Sequence, residues 1–334
     1  MKYNMKRFLI YIICCCALFS ACADGMGGSS MTGEPGDLLV VINDQYKNSP
    51  VGEEISDILN EEEIGLTQAE SPFSTIMISR NAFSSTFRSY RNILYLDVDR
   101  KYSTPKIQYK KDLWAKHQAY VSIGTNNPDT LKKFLAERHD NVIEYFIQAE
   151  IERYQQLYKQ ANDQIVEKSI KKQFNMNISV PNGFSINKTE ENFMWLSLET
   201  KVHSQGLIIY QRPYTDTAQF NKTNMLNYRD SIVKAHIPGP SESSYMTTEY
   251  ILPIQRTVGK YVNDDYTVEL RGKWRVENDF MAGPFTSYTF CNPKKNMLIT
   301  IEGYVYYPNK EKRNFMRQLQ AIARSVSFDK PVQE

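Results

Sequence analysis

Hydrophobic and polar positions divide the chain into two parts with different patterns. Residues 38–42 form a continuous apolar run between Gly36 and Asn43, which is typical of a strand buried on both faces. Comparable runs recur at residues 74–78, 93–98 and 119–123, and helical spacing lies between them, as at residues 52–59. This alternation predicts an N-terminal α/β domain over residues 37–172, with a mixed or partly parallel sheet.

Apolar residues at steps of three and four predict a long helix over residues 141–172. One face of it would carry Ile143, Ile147, Ile151, Tyr154, Tyr158, Ala161 and Ile165. We expect this stripe to lie in the core, or at the seam between two domains, rather than in a ligand groove. Upstream, Asn127 and Pro128 supply an N-cap and a first-turn proline, which indicate a helix start.

From residue 173 the pattern changes to strands and turns. The clearest strand covers residues 267–277, where Leu270, Trp274 and other apolar residues alternate with charged ones, so one face of it should be buried. Further strands are predicted at 194–198, 206–210, 287–291 and 297–307, and helices at 223–236 and 310–324. The sequence therefore predicts a C-terminal α+β domain over residues 173–329, an antiparallel sheet covered by helices. The fold class is α+β, or mixed α/β.

The N-terminus has the pattern of a processing signal. Three basic residues precede an apolar run over residues 8–19, which is too short to span a bilayer but fits a signal-peptide core. The run ends in Phe19-Ser20-Ala21-Cys22, which resembles the lipobox of bacterial lipoproteins. Residues 1–21 are therefore predicted to be a signal peptide, with Cys22 carrying lipid. The glycine-rich residues 22–36 are predicted to be a flexible tether.

Composition and charge further limit the classes of protein to which the chain could belong. The 334 residues include 40 basic and 38 acidic side chains, and loss of residues 1–21 changes the formal net charge from +2 to −1. A near-neutral chain lacks the basic footprint of a nucleic-acid binder. After Cys22, Cys291 is the one remaining cysteine in the sequence, so no intramolecular disulfide is expected. We expect Cys291 to be a packed thiol, the alternative being a nucleophile.

No catalytic motif appears in a recognisable spacing, and no catalytic residue or cofactor is expected. The four histidines stand apart from one another. Asp97 and Asp99 would place two carboxylates at a strand end, but no third ligand accompanies them, so no metal site is expected.

Two segments differ from plain scaffold because prolines, glycines and apolar residues occupy turns. A solvated turn is normally polar, so these residues are expected to fold over their own core or to form a recognition surface. The candidate binding surface comprises Pro238, Gly239, Pro240, Tyr245, Met246, Glu249, Arg271, Asp279, Phe280, Met281 and Phe285.

The sequence also resembles a Bacteroidetes lipoprotein family known as domain of unknown function 4837. The resemblance rests on residues 38–41, 50–52, 91–94, 238–240, 244–249, 271–274, 279–285 and 312–314, and so spans nearly the whole mature chain. It implies an envelope location and supplies no catalytic residue.

These observations favour an envelope lipoprotein, held to the membrane by lipidated Cys22 and facing the periplasm, that binds an unknown envelope protein or small ligand. One alternative is a hydrolase that uses dispersed carboxylates, namely Asp279, Glu249 and Glu302. The other is a surface nutrient-capture protein that stacks sugars on Trp195, Trp274 or several tyrosines, although the alternation predicts that Trp274 is buried.

Overall fold

The computed structural model describes residues 30–292 and 296–329, so the predicted signal peptide, Cys22 and residues 22–29 of the tether lie outside the described residues. The first sheet has five strands in the order β2-β1-β3-β5-β4. Strands β2, β1, β3 and β5 are parallel and β4 is antiparallel, so the sheet is mixed. The strands are β1 (Asp37–Ile42), β2 (Ser74–Ser79), β3 (Asn92–Val98), β4 (Lys106–Lys111) and β5 (Ala119–Thr125).

Both faces of this sheet are covered, which explains the continuous apolar run in β1. Leu38, Val40 and Ile42 face the helices, whereas Leu39 and Val41 face an aromatic cluster. That cluster includes Phe83, Tyr95, Trp114 and Tyr120, whose rings meet mostly edge to face. The helices of this half are α1 (Asp44–Lys47), α2 (Pro50–Leu59), α3 (Ser85–Arg88), α4 (Pro128–Gln160) and α5 (Gln164–Phe174), with a 3-10 turn at Arg80–Ala82.

The single long helix predicted over residues 141–172 is two helices, α4 and α5. Helix α4 starts earlier, where the Asn127 side chain accepts a hydrogen bond from Thr130 N, as the cap signal predicts. The break follows Ala161 because Asn162 and Asp163 bind the backbone of Val180, and Asp163 caps α5. The stripe is core as far as Tyr158, but Ile165 beyond the break is 77% exposed.

The second sheet has eight antiparallel strands, in the order β10-β11-β12-β13-β8-β7-β6, with β9 pairing beside β10 along β11. Helix α6 (Lys222–His236) covers the outer face and α7 (Arg313–Ala323) the inner face, and a 3-10 turn lies at Thr217–Phe220. The strands are β6 (Ser185–Glu190), β7 (Phe193–Glu199), β8 (Ser204–Pro213), β9 (Tyr245–Glu249), β10 (Gln255–Val262), β11 (Asp265–Glu277), β12 (Ala282–Asn292) and β13 (Met297–Tyr306). The predicted fold class is confirmed.

Residues from both predicted domains share one hydrophobic cluster, with α4 packed against α7 between the two sheets. Polar contacts also join the two halves. The Glu70 carboxylate accepts hydrogen bonds from the backbone N–H groups of Lys312 and Arg313 at the start of α7, at 2.9–3.0 Å. Within the described residues, no helix is both long enough and apolar enough to cross a membrane.

Candidate functional site

The candidate site is a pocket on the outer face of the second sheet, where α6 ends. Helix α6 covers the middle of this face and leaves one corner of the sheet open beyond His236. The pocket measures about 320 Å³. We call it the aromatic pocket; it is lined by Trp195, Glu199, Ser204, Ile237, Pro238, Gly239, Pro240, Met246, Trp274, Val276, Met281, Tyr304 and Tyr306.

Two strand glycines allow the large rings to lie close to the sheet. A Cβ on Gly206 would stand 2.0 Å from the Tyr304 ring, which lies across from it on β13. A Cβ on Gly283 would stand 2.8 Å from Trp274 Nε1 and 2.0 Å from the Val305 carbonyl oxygen. Because any side chain at these positions would displace a ring or the backbone, the glycines set the depth of the pocket.

Hydrogen bonds join four of the lining residues in two pairs. Trp195 Nε1 donates to the Tyr304 hydroxyl at 2.9 Å, and Ser204 Oγ donates to Glu199 Oε1 at 2.7 Å. Burial raises the pKa of Tyr304, so its hydroxyl stays neutral across the physiological range. Trp274 is 1% exposed, as the alternation predicts, and its Nε1 has no hydrogen-bond partner among the described residues.

The two sequence segments that form the candidate surface meet at this pocket. Gly239 N donates to Ser244 O at 2.9 Å, and Met246 N donates to Ile237 O at 3.0 Å, so the Pro-Gly-Pro segment is tied to the start of β9. The Asp279 carboxylate joins the β11–β12 turn to it, accepting from Ser241 Oγ at 2.6 Å and from Met281 N at 3.1 Å. The segment that forms the wall of the pocket is therefore hydrogen-bonded both to β9 and to the β11–β12 turn.

Five of the eleven candidate residues line the pocket, namely Pro238, Gly239, Pro240, Met246 and Met281. Phe280 stands beside them at the turn, with 90% of its surface exposed, and Asp279 braces the turn. Tyr245 lies outside the lining, where the Lys234 ammonium stands 4.6 Å from its ring centre.

The remaining three candidates do not belong to the pocket. Arg271 is paired with Glu269 and Glu63 on the inner face of the sheet. Phe285 is 1% exposed, beneath the guanidinium of Arg229. Glu249 lies 3.8 Å from Arg275, on the face of β9 opposite Met246. Arg271 and Glu249 point away from the pocket, because adjacent residues of a strand point to opposite faces. Phe285 lies on the same face as the pocket, opposite Tyr304 in the register, but it is covered by α6.

The carboxylates of the hydrolase alternative are engaged separately. Glu302 is fully buried in a bidentate pair with Arg229, and burial raises its pKa. Asp279 braces its own turn, and Glu249 lies near Arg275. The described structure gives these three groups different partners and does not form an acid–base pair from them.

Other candidate groups show no reactive setting. Cys291 lines a separate depression of about 510 Å³ beside Tyr214 and Tyr266, and burial raises the pKa of its thiol, which disfavours the thiolate. Asp97 and Asp99 both bind Lys101, at 2.8 and 3.2 Å. Within the described ranges, no three His, Cys, Asp or Glu side chains lie close enough to hold a metal ion.

Glu199, Ser204, Tyr304 and Tyr306 were not identified from the sequence as site residues. Glu199 lies on the same face of β7 as Trp195. The pairing of β7, β8 and β13 places Ser204, Tyr304 and Tyr306 on that same outer face of the sheet. The alternation marks these positions as sharing a face, but only the strand order places them around one pocket.

Comparisons with known proteins agree with the predicted resemblance for the C-terminal half. Residues 162–325 match the family model described as Domain of unknown function (DUF4837). Residues 31–159 match a different model, Domain of unknown function (DUF8532), so the resemblance noted at residues 38–41, 50–52 and 91–94 falls in that second family. A search of curated proteins finds no match.

Among solved structures, similarity is found to a point mutant of protein Mog1, at 8% identity and a TM-score of 0.30. The Ran-binding protein Mog1p from Saccharomyces cerevisiae is similar at 7% identity and a TM-score of 0.29. Each match covers 46% of this chain and 89% of the other.

Proposed function

We propose that the protein is a non-catalytic binding module of the cell envelope, anchored through lipid on Cys22, and that the aromatic pocket holds its ligand. The observation that carries this proposal is the convergence of both unusual sequence segments on one pocket. Pro238, Pro240, Met246 and Met281 meet Trp274 there, in a volume of about 320 Å³. A cavity of this size with an apolar lining and a few polar groups is typical of small-molecule sites.

The lining favours binding over catalysis. One carboxylate, Glu199, stands at the rim, and the described lining contains no histidine, cysteine or lysine beside it. Ser204 Oγ lies within hydrogen-bond reach of Glu199, at 2.7 Å, but the described lining adds no histidine or lysine to activate that hydroxyl or to act as a second acid–base group. The hydrogen bonds of the wall and the close packing of Tyr304 on Gly206 and of Trp274 on Gly283 instead favour a pocket whose shape is formed before the ligand binds. A preformed pocket reduces the entropy lost on binding.

The binding proposal is tested with a variant that fills the pocket. Ser204 lies at its edge, so Ser204→Trp should occlude it, whereas Val202→Trp, in the exposed turn of the same hairpin, should not. Full-length protein in neutral detergent would be incubated with the small-molecule extract of envelopes, and retained compounds identified by mass spectrometry. We expect compounds retained by the wild type and Val202→Trp to be lost from Ser204→Trp. Equal retention by all three would contradict the proposal.

Anchoring and orientation are tested in cells. Labelling with radioactive palmitate should mark the wild-type chain and leave Cys22→Ala unlabelled. Protease added to intact cells should leave the tagged chain protected until lysis if it faces the periplasm. Digestion on intact cells would place it at the surface and favour the nutrient-capture alternative.

A further inference from the structure

We infer that the ligand of the aromatic pocket is an organic cation, a tertiary or quaternary ammonium group on a small apolar body. This inference rests on the proposed binding function and adds the chemical class of the ligand. Three features of the pocket carry it: the group of aromatic rings, the scarcity of free backbone hydrogen-bond donors, and the sign of its one charge.

The rings come from three strands and meet at steep angles. Trp274 and Tyr304 have ring centres 5.6 Å apart with planes at 75°, and Trp274 and Tyr306 have centres 6.3 Å apart with planes at 52°. Trp195 joins this group through its hydrogen bond to Tyr304. These rings line one pocket, and the faces of tryptophan and tyrosine rings attract ammonium ions.

The wall of the pocket is poor in free backbone donors, and Trp274 Nε1 is the ring N–H of the described lining that has no partner. Pro238 and Pro240 have no N–H group, and the N–H groups of Gly239 and Met246 are already bound to Ser244 O and Ile237 O. A phosphate, a carboxylate or a sugar would need several donors to replace its hydration. An alkylated ammonium group needs none, because its charged nitrogen has no lone pair with which to accept a hydrogen bond.

The charge of the pocket is negative. Glu199 is the one charged side chain in the described lining, and its Oε1 is held by Ser204 Oγ at 2.7 Å. The carboxyl end of α6, which carries partial negative charge, leads directly into Ile237 and Pro238 of the wall. Lys234, in the last turn of α6, directs its ammonium to the Tyr245 ring outside the lining.

The test compares two probes of nearly equal shape, choline and its neutral isostere 3,3-dimethylbutan-1-ol. Binding would be followed by tryptophan fluorescence of the full-length protein in neutral polyoxyethylene detergent, since two of the three tryptophans line the pocket. We expect choline to bind about tenfold more tightly than the isostere, as expected for a desolvated cation among rings beside a carboxylate. Glycerophosphocholine in place of choline distinguishes a lipid headgroup from a free amine as the source.

Two pairs of variants separate charge from shape. Glu199→Gln should weaken choline binding about threefold to tenfold and leave the isostere unchanged, while Glu191→Gln, an exposed carboxylate in the turn that precedes the same strand, should affect neither. Tyr306→Phe keeps the ring and should retain choline binding, whereas Tyr306→Leu should lose most of it and keep the isostere.

The outcomes separate this inference from the proposal beneath it. Equal affinity for choline and the isostere, both abolished by Ser204→Trp, would overturn the cation inference and leave the binding function standing. Binding of N-acetylglucosamine or glucose in preference to choline would do the same. A pocket that binds none of these probes, in a protein whose retained compounds are unaffected by Ser204→Trp, would overturn both.

Discussion

The buried ion pair beneath α6 gives a sharp prediction about stability. Glu302 is fully buried and Arg229 is 1% exposed, and the carboxylate oxygens accept from Arg229 Nε at 2.8 Å and Nη2 at 2.7 Å. Arg229 Nη1 also donates to Thr248 Oγ1 at 2.8 Å, and the guanidinium lies 4.0 Å from the centre of the Phe285 ring. The perturbation is Glu302→Leu, which removes the bidentate, fully buried partner and leaves the buried guanidinium with Asp230, 3.2 Å from Nη1, as its remaining carboxylate.

The expected cost follows from the orphaned charge rather than from the lost contact. Breaking a buried pair by removing one partner typically destabilises a protein by about 3–5 kcal/mol. Replacing both partners by apolar residues of similar volume is often neutral, because no charge then remains to be desolvated. We therefore expect Glu302→Leu to lose about 3–5 kcal/mol, and Arg229→Met with Glu302→Leu to recover most of that loss.

The measurement is urea unfolding of the full-length protein in neutral detergent, followed by tryptophan fluorescence. With an m value of roughly 3 kcal/mol/M, the single variant should unfold at a urea concentration lower by about 1 M or more. A loss below about 1 kcal/mol in Glu302→Leu would show that the pair does not act through charge. A double variant as unstable as the single one would show that the cost lies in packing.

Three further predictions concern other parts of the molecule. Gly206→Ala should displace Tyr304, break its bond with Trp195 and cost about 1–3 kcal/mol in urea unfolding, and an unchanged midpoint and fluorescence would contradict the ring-on-glycine geometry. Glu70→Ala should cost about 1.5–3 kcal/mol by freeing the start of α7, whereas the exposed Glu62→Ala should not. Burial raises the pKa of Asp97, but hydrogen bonds from Lys101, Tyr102 and Arg80 outweigh it and hold that pKa below its ordinary value. Asp97 therefore stabilises the fold above about pH 4 and loses this effect as the pH falls through its folded pKa, so the deficit of Asp97→Asn, measured by urea unfolding, should shrink in acid; a constant deficit from pH 7 to pH 2 would contradict this.

The sequence predicts the fold class because the apolar patterns are strong where packing is two-sided or strictly alternating. The run at residues 38–42 is covered on both faces, and the alternation at 267–277 places Trp274 in the core. Strands β4 and β10 were missed because they are edge strands with mostly polar or half-exposed residues. A strand of this kind is held by backbone pairing, which leaves little trace in hydrophobicity.

The break between α4 and α5 could not be predicted from periodicity. The spacing of apolar residues continues through Ala161 to Ile165, and nothing in it marks an end. What ends α4 is a tertiary contact, the bonds from Asn162 and Asp163 to the backbone of Val180. The cap at Asp163 is a local signal, but an asparagine and an aspartate are also compatible with the polar face of a continuous helix, so they do not by themselves predict a break.

For the candidate site, the sequence identifies the turn residues that form the wall of the pocket but not the strand residues that form its floor. Apolar residues in a turn are unusual, as are two prolines around one glycine, so Met281 and Pro238 stand out in a single sequence. The floor of the pocket is formed by β8 and β13, and the register of their pairing places Tyr304 opposite Gly206. A tyrosine and a glycine separated by 98 positions become one structural unit only when the strands pair, and no local pattern records that pairing.

Glu302 shows why an acidic residue on the outer face of a strand has two opposite interpretations. The alternation places it on the same face as Tyr304 and Thr300, and from sequence it is one of the three dispersed carboxylates of the hydrolase alternative. In the structure α6 covers Glu302, and Arg229 of that helix donates to both of its carboxylate oxygens, so Glu302 is one half of a buried ion pair. Glu199, on the same face but beyond the end of α6, remains exposed and meets the rings instead. The length of one helix therefore decides which carboxylate stabilises the fold and which can meet a ligand.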